Sequence, residues 1–85
     1  MAEVTIYTAQ GCGFCRSAEN LLRNRGVANP KRIYVDREPA ELDRMIATTG
    51  RRTVPQIFIG THHVGGFDDL SALDRAGRLD PMLQR

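Results

Sequence analysis

The 85-residue chain is 41% hydrophobic and 26% charged, with a net charge of +2. This is the balance of one ordinary soluble globular domain rather than of a disordered segment. No dense Lys/Arg block points to nucleic acid or an anionic membrane, and apolar runs of only about four residues exclude a membrane span. In chain order, residues 3–8 (EVTIYT) alternate apolar and polar side chains rich in β-formers and predict a strand. From Phe14 to Arg25 the apolar positions Cys15, Ala18, Leu21 and Leu22 recur at helical spacing, and Gly26 marks a stop. Residues 31–35 (KRIYV) predict a second strand. A second helix opens at Pro39, carries Leu42, Met45, Ile46 and Thr49, and ends at Gly50. The nearly all-apolar run 56–59 (QIFI) suits a strand covered on both faces, and a short strand follows a turn at Gly60, over Thr61 to Val64. Asp68 is the expected cap of a third helix bearing Leu70, Leu73 and Ala76, with Gly77 at its end.

The expected order is therefore β-α-β-α-β-β-α. A strand–helix–strand opening implies a right-handed crossover with parallel pairing, and the closely spaced last two strands imply a hairpin. The result is an α/β chain with a small mixed sheet and helices on its faces. The N-terminal stretch MAEVTIYT lacks the basic start and apolar block of a secretory signal, so a cytoplasmic setting is expected.

Cys12 and Cys15 are the only cysteines, three positions apart at the start of the first helix. A permanent disulfide does not suit a reducing compartment, and so short a loop adds little as an entropic staple. The adjacent His62 and His63 do not have the spacing of a structural zinc finger, so no metal site is expected. A reactive pair remains. Cys15 shares the apolar stripe with Ala18 and Leu22 and should face the sheet. Cys12 precedes the first full turn, where unpaired N–H groups and the helix dipole stabilise a thiolate, the nucleophilic form. That geometry nominates Cys12 as attacker and Cys15 as resolver. A C-x-x-C beside a βαβ pattern is itself a thioredoxin-like redox signature.

Four correctly spaced pieces give the chain a wider resemblance: IYT at 6–8, CGFC at 12–15, TVPQIFIG at 53–60 and GGFDDL at 65–70, with LDPML at 79–83 also fitting. Over nearly its full length the chain resembles the small dithiol glutaredoxins of the short bacterial type. The resemblance implies one glutaredoxin domain over residues 1–85, with a thioredoxin-like fold and a four-stranded mixed sheet covered by helices on both faces. It implies a glutathione-dependent thiol–disulfide oxidoreductase that acts, as a monomer, on disulfide-containing or glutathionylated proteins. Cys12 resembles the nucleophile that forms a mixed disulfide with glutathione, and Cys15 the second thiol. Val54-Pro55 resembles the family's cis-proline turn, which sets the Val54 backbone against the glutathione cysteinyl group, with Thr53 in the same patch. Gly65 and Gly66 let the chain pass close to the ligand. Asp68 and Asp69 open a helix toward its γ-glutamyl end, while Tyr7 and Phe14 border the groove.

The chain departs from the common pattern in the C-x-x-C loop and just before it. Gly13 stands where many relatives have proline, and Phe14 lacks a hydroxyl. Ala9 stands where most carry a basic residue that supports the thiolate and binds a glutathione carboxylate. Arg51, Arg52 and Arg16 are candidates for the missing charge, each equally readable as an exposed solvated arginine. Gly13 also keeps a second reading open, a dimer holding a [2Fe–2S] cluster through Cys12 of each chain and two glutathiones.

Overall fold

The computed structural model describes residues 1–85. Strand β1 (Val4–Thr8) leads into helix α1 (Gly13–Asn24), then β2 (Lys31–Tyr34) and α2 (Pro39–Thr49). The hairpin β3 (Gln56–Ile59) and β4 (His62–Gly65) follows, then α3 (Phe67–Arg75) and α4 (Leu79–Leu83). The sheet order is β2-β1-β3-β4, with β1 parallel to β2 and antiparallel to β3, and β3 antiparallel to β4. The expected crossover and hairpin are both present, and β4 lies one residue later than the sequence suggested.

Because strand side chains alternate, β1 feeds two cores. Val4 and Ile6 face Ala18 and Leu22 of α1, Leu70 of α3, and Leu79 and Leu83 of α4. Tyr7 faces the other way, into a smaller cluster with Val35 and Met45 that α2 covers with Leu42 and Ile46. Met45, Leu22, Leu70 and Ile57 are fully buried, each stabilising the fold by roughly 1.5–3 kcal/mol in transfer terms. The helices thus sit on both faces, and the C-terminal end of β1 delivers the chain directly to the cysteine loop.

Two details correct the sequence reading. The fourth helix, α4, was not expected. Its five residues are too few for a periodic pattern, and Pro81 interrupts them. Proline is nevertheless tolerated there, since N–H groups of a first turn have no helical partner. Leu79 and Leu83, one turn apart and both fully buried, dock α4 on the main core, and the Ala2 N–H donates to the Leu83 carbonyl at 2.9 Å. Asp68 does not cap α3. The cap is Gly66, two residues earlier, and its N–H donates to the Asp69 carboxylate at 3.0 Å.

Candidate functional site

Cys12 is the N-cap of α1, with extended backbone (φ −93°, ψ 108°) and a sulfur that accepts the Cys15 N–H at 3.2 Å. The helix end therefore directs one of its free donors at this sulfur, which favours negative charge on it. Cys12 is half-buried, whereas Cys15 is only 2% exposed and lies under the helix. The two are joined as a disulfide, Cα atoms 5.2 Å apart. One sulfur of the pair is thus reachable and the other shielded, as the helical stripe predicted.

A second loop meets the first from across the sheet. The Val54-Pro55 peptide is cis, and the Val54 carbonyl oxygen stands 3.8 Å from the Cys12 sulfur. From there a groove of about 310 Å³ runs between the proline loop and the start of α3. Phe14, Arg51, Thr53, Val54, Pro55, Gly66, Phe67, Asp68 and Asp69 line it. A larger hollow of about 550 Å³ lies on the α2 side among Lys31, Arg32, Glu38, Glu41 and Arg44, and contains neither cysteine.

Most of the residues singled out from sequence come together in the groove, whereas Tyr7, Arg16, Arg52 and Gly65 do not line it. Tyr7 is 7% exposed and packs edge-on against Phe58, ring centroids 6.0 Å apart, in the core beneath α2. Alternation along β1 puts it on the opposite face from Ile6, so it does not border the groove. Arg52 is exposed and outside the lining. Arg51 is in the groove but already paired: its Nη1 donates to Asp69 Oδ2 at 3.0 Å, the same oxygen that accepts the Gly66 N–H. The Arg51 hydrogen bond, then the Gly66 one, holds the Asp69 carboxyl below the usual carboxylate range. Arg16 lies beside the cysteine loop, its Nη2 3.9 Å from where a Cβ on Gly13 would stand. Ala9 contributes no charge.

Three residues were missed. Phe67 stacks on the exposed Phe14, centroids 6.4 Å apart, and forms a wall of the groove. Its signal was an aromatic between the glycine pair and the acidic pair. Gln56 and His63 lie behind the proline loop. The Gln56 amide donates to the Thr53 carbonyl at 3.0 Å, and its oxygen meets His63 Nε2 at 2.8 Å. A lone amide in an apolar strand was the available sign.

The glutaredoxin family model matches residues 4–64. Glutaredoxin 3 of Escherichia coli (strain K12) is 48% identical over 84 residues, spanning 99% of this chain and 100% of that protein. The solution structure of the Brucella melitensis glutaredoxin is 46% identical with a TM-score of 0.84, covering 98% of this chain and 89% of that one. The crystal structure of a buckwheat glutaredoxin–glutathione complex superposes with a TM-score of 0.88 at 34% identity, covering 98% of this chain and 77% of that one. With agreement of this length in both sequence and fold, the chain belongs to the glutaredoxin family and is a thiol–disulfide oxidoreductase of thioredoxin-like fold.

Proposed function

We propose that the chain, one domain over residues 1–85, uses glutathione to reduce glutathionylated proteins and protein disulfides in the cytoplasm as a monomer. The observation that carries this reading is the Cys12 sulfur at the α1 N-terminus, 3.8 Å from the Val54 carbonyl at the mouth of the groove. The Cys12 thiolate attacks the glutathione sulfur of a protein–glutathione disulfide. The protein thiolate leaves, and Cys12 keeps the glutathionyl group. A second glutathione thiolate then attacks that adduct, so oxidised glutathione departs and Cys12 is regenerated. On a protein disulfide the adduct is with the substrate itself. Cys15 then attacks the Cys12 sulfur, releases the second substrate thiol and leaves the Cys12–Cys15 disulfide for two glutathiones to reduce.

The bound tripeptide would lie along the groove. Val54 and the cis Pro55 meet its cysteinyl backbone, Thr53 adjoins them, and Phe14 and Phe67 wall the sulfur end. Gly66, with no side chain, lets the ligand approach, and the free N–H groups of Phe67 and Asp68 at the start of α3 take the γ-glutamyl carboxylate. The ammonium goes to the exposed Asp68 and to the Asp69 oxygen that Arg51 leaves free. Support comes from the buckwheat relative, whose crystal structure is a complex with glutathione and whose fold this chain shares.

A coupled assay with glutathione, glutathione reductase and NADPH tests the reading. Turnover of a glutathionylated peptide that saturates with glutathione is expected. A protein that reduces disulfides with a dithiol reductant but not with glutathione overturns it.

The cluster-holding dimer stays as a second reading because of Gly13. Beyond its own turn of helix, the nearest atom to a Cβ there is on the flexible Arg16 guanidinium, 3.9 Å away, which leaves room beside the cysteine loop for a second subunit. The chain offers a cluster one accessible thiolate, Cys12, since Cys15 is buried. The remaining ligands would come from the second subunit's Cys12 and two glutathiones.

A further inference from the structure

Gln56 is fully buried on the α2 face of the sheet, beside Tyr7 across the β1–β3 ladder. An amide placed there must satisfy both its ends. Its NH2 donates to the Thr53 carbonyl at 3.0 Å and lies 3.4 Å from the Thr53 hydroxyl. Its oxygen is therefore the end facing His63, and His63 Nε2 at 2.8 Å must carry the proton it donates. The His63 ring lies tilted over Phe58, its cross-strand partner, at a centroid distance of 5.0 Å. Its orientation is set by the sheet, not by the loop.

The Thr53 carbonyl and the Val54 N–H belong to one planar trans peptide, so they point in opposite directions. Holding the carbonyl inward on Gln56 turns the Val54 N–H outward. That N–H makes no hydrogen bond within the chain. It stands one residue from the cis peptide, in the groove wall beside Cys12.

We propose that His63 is a positioning residue: acting through Gln56, it fixes the Thr53–Val54 peptide plane so that the Val54 N–H faces the backbone of the disulfide being reduced. It touches neither the substrate nor the sulfurs. The proposal deepens the glutathione reading and rests on it for the identity of that backbone.

The test uses three variants of the full chain. His63→Phe keeps a ring over Phe58 and removes the donor. His63→Gln restores an N–H at similar reach. Gln56→Met removes the link without orphaning an amide, and serves if His63→Phe does not fold. With a glutathionylated peptide, His63→Phe and Gln56→Met should raise KM about tenfold, the worth of one net hydrogen bond, with kcat changed less than about twofold. His63→Gln should return KM to within about threefold of wild type, by the same reckoning. The Val54 amide proton gives a readout that needs no glutathione. It should be one sharp resonance in wild type and His63→Gln, and broadened or doubled in His63→Phe and Gln56→Met. A wild type inactive on the peptide removes the glutathione reading, and the Val54 resonance alone then decides the positioning role. Wild-type KM and a sharp Val54 resonance in folded His63→Phe overturn the proposal. So does a loss of kcat that merely follows the unfolded fraction.

Discussion

The Asp69 carboxylate fills the space where a side chain on Gly65 would begin. A Cβ built on Gly65 runs into the Asp69 oxygen, and Gly65 holds φ at +118°, a backbone conformation that L side chains rarely adopt. The two residues fix the entry of α3 together, since from that position Asp69 accepts the Gly66 N–H. Gly65→Ala should therefore destabilise the protein by about 2 kcal/mol or more, combining backbone strain with loss of the cap. Urea denaturation reads this as a lower midpoint at unchanged slope. A loss under about 0.5 kcal/mol would mean that the loop relaxes around the new methyl group.

The Arg51–Asp69 pair gives the acid side of the stability curve a testable component. Asp69 has its pKa lowered in the folded state, first by the Arg51 hydrogen bond and then by the Gly66 N–H. A carboxyl with a depressed folded pKa contributes stability above its unfolded value, and loses it as pH falls through the folded one. Both side chains are close to half exposed, so the pair is screened and worth under about 1 kcal/mol. Arg51→Met should be slightly less stable than wild type at neutral pH. The gap should close below the ordinary aspartate range, and also in high salt. A gap that persists unchanged at low pH assigns the effect to packing instead.

His63 acts in a different window. Its pKa is lowered, chiefly by burial and then by the Arg51 charge, with His62 adding to and Asp69 opposing the shift. The folded state thus binds fewer protons than the unfolded one just below the ordinary imidazole range. Stability from this group is complete above that range and falls as pH drops through it toward the folded pKa. Wild type should lose stability on going from pH 7.5 to 5.5, and His63→Gln should show a flatter profile across that interval. Equal slopes in chemical denaturation would assign the loss to other groups.

The two cysteines should divide the work as their burial divides them. Cys12→Ser removes the only thiolate at a helix N-terminus and should abolish turnover. Cys15→Ser leaves that sulfur in place and should retain reduction of glutathione mixed disulfides, which glutathione itself resolves. Reduction of protein disulfides that need intramolecular resolution should fall sharply. A Cys15→Ser protein that binds glutathione but turns over neither substrate would reverse the assignment.

What was legible in the sequence was local or carried by motifs. The helical stripe Cys15–Ala18–Leu22 gave the shielded cysteine, and the TVPQ and GGFDD motifs gave most of the groove wall. What was not legible depended on which face or which register a residue takes. Tyr7 looked like a groove residue from its motif, yet one step along β1 turns it under α2. The α3 start was misplaced because a glycine cap has no side-chain signature, while Asp68 has the usual one. The Gln56–His63 bond needs the β3–β4 register, which shifts between Ile57 and Phe58 and leaves Val64 unpaired. No periodicity argument carries a pairing across such a bulge.

The last prediction separates the enzyme from the cluster carrier at Gly13. Gly13 is the first residue of α1 and does not have a positive φ, so proline is accommodated there and its missing N–H is one the helix does not use. Gly13→Pro should therefore fold at least as stably as wild type, gaining up to about 1 kcal/mol from a stiffer unfolded chain. The substitution also fixes φ and puts a ring beside the cysteine loop, where a second subunit has to approach. Supplied anaerobically with glutathione, iron and sulfide, the wild type should form a coloured dimeric species. Gly13→Pro should form less of it while keeping most oxidoreductase activity. A wild type that stays colourless and monomeric sinks the cluster reading and leaves the dithiol enzyme. A wild type that purifies coloured and reduces disulfides poorly makes cluster binding the main function.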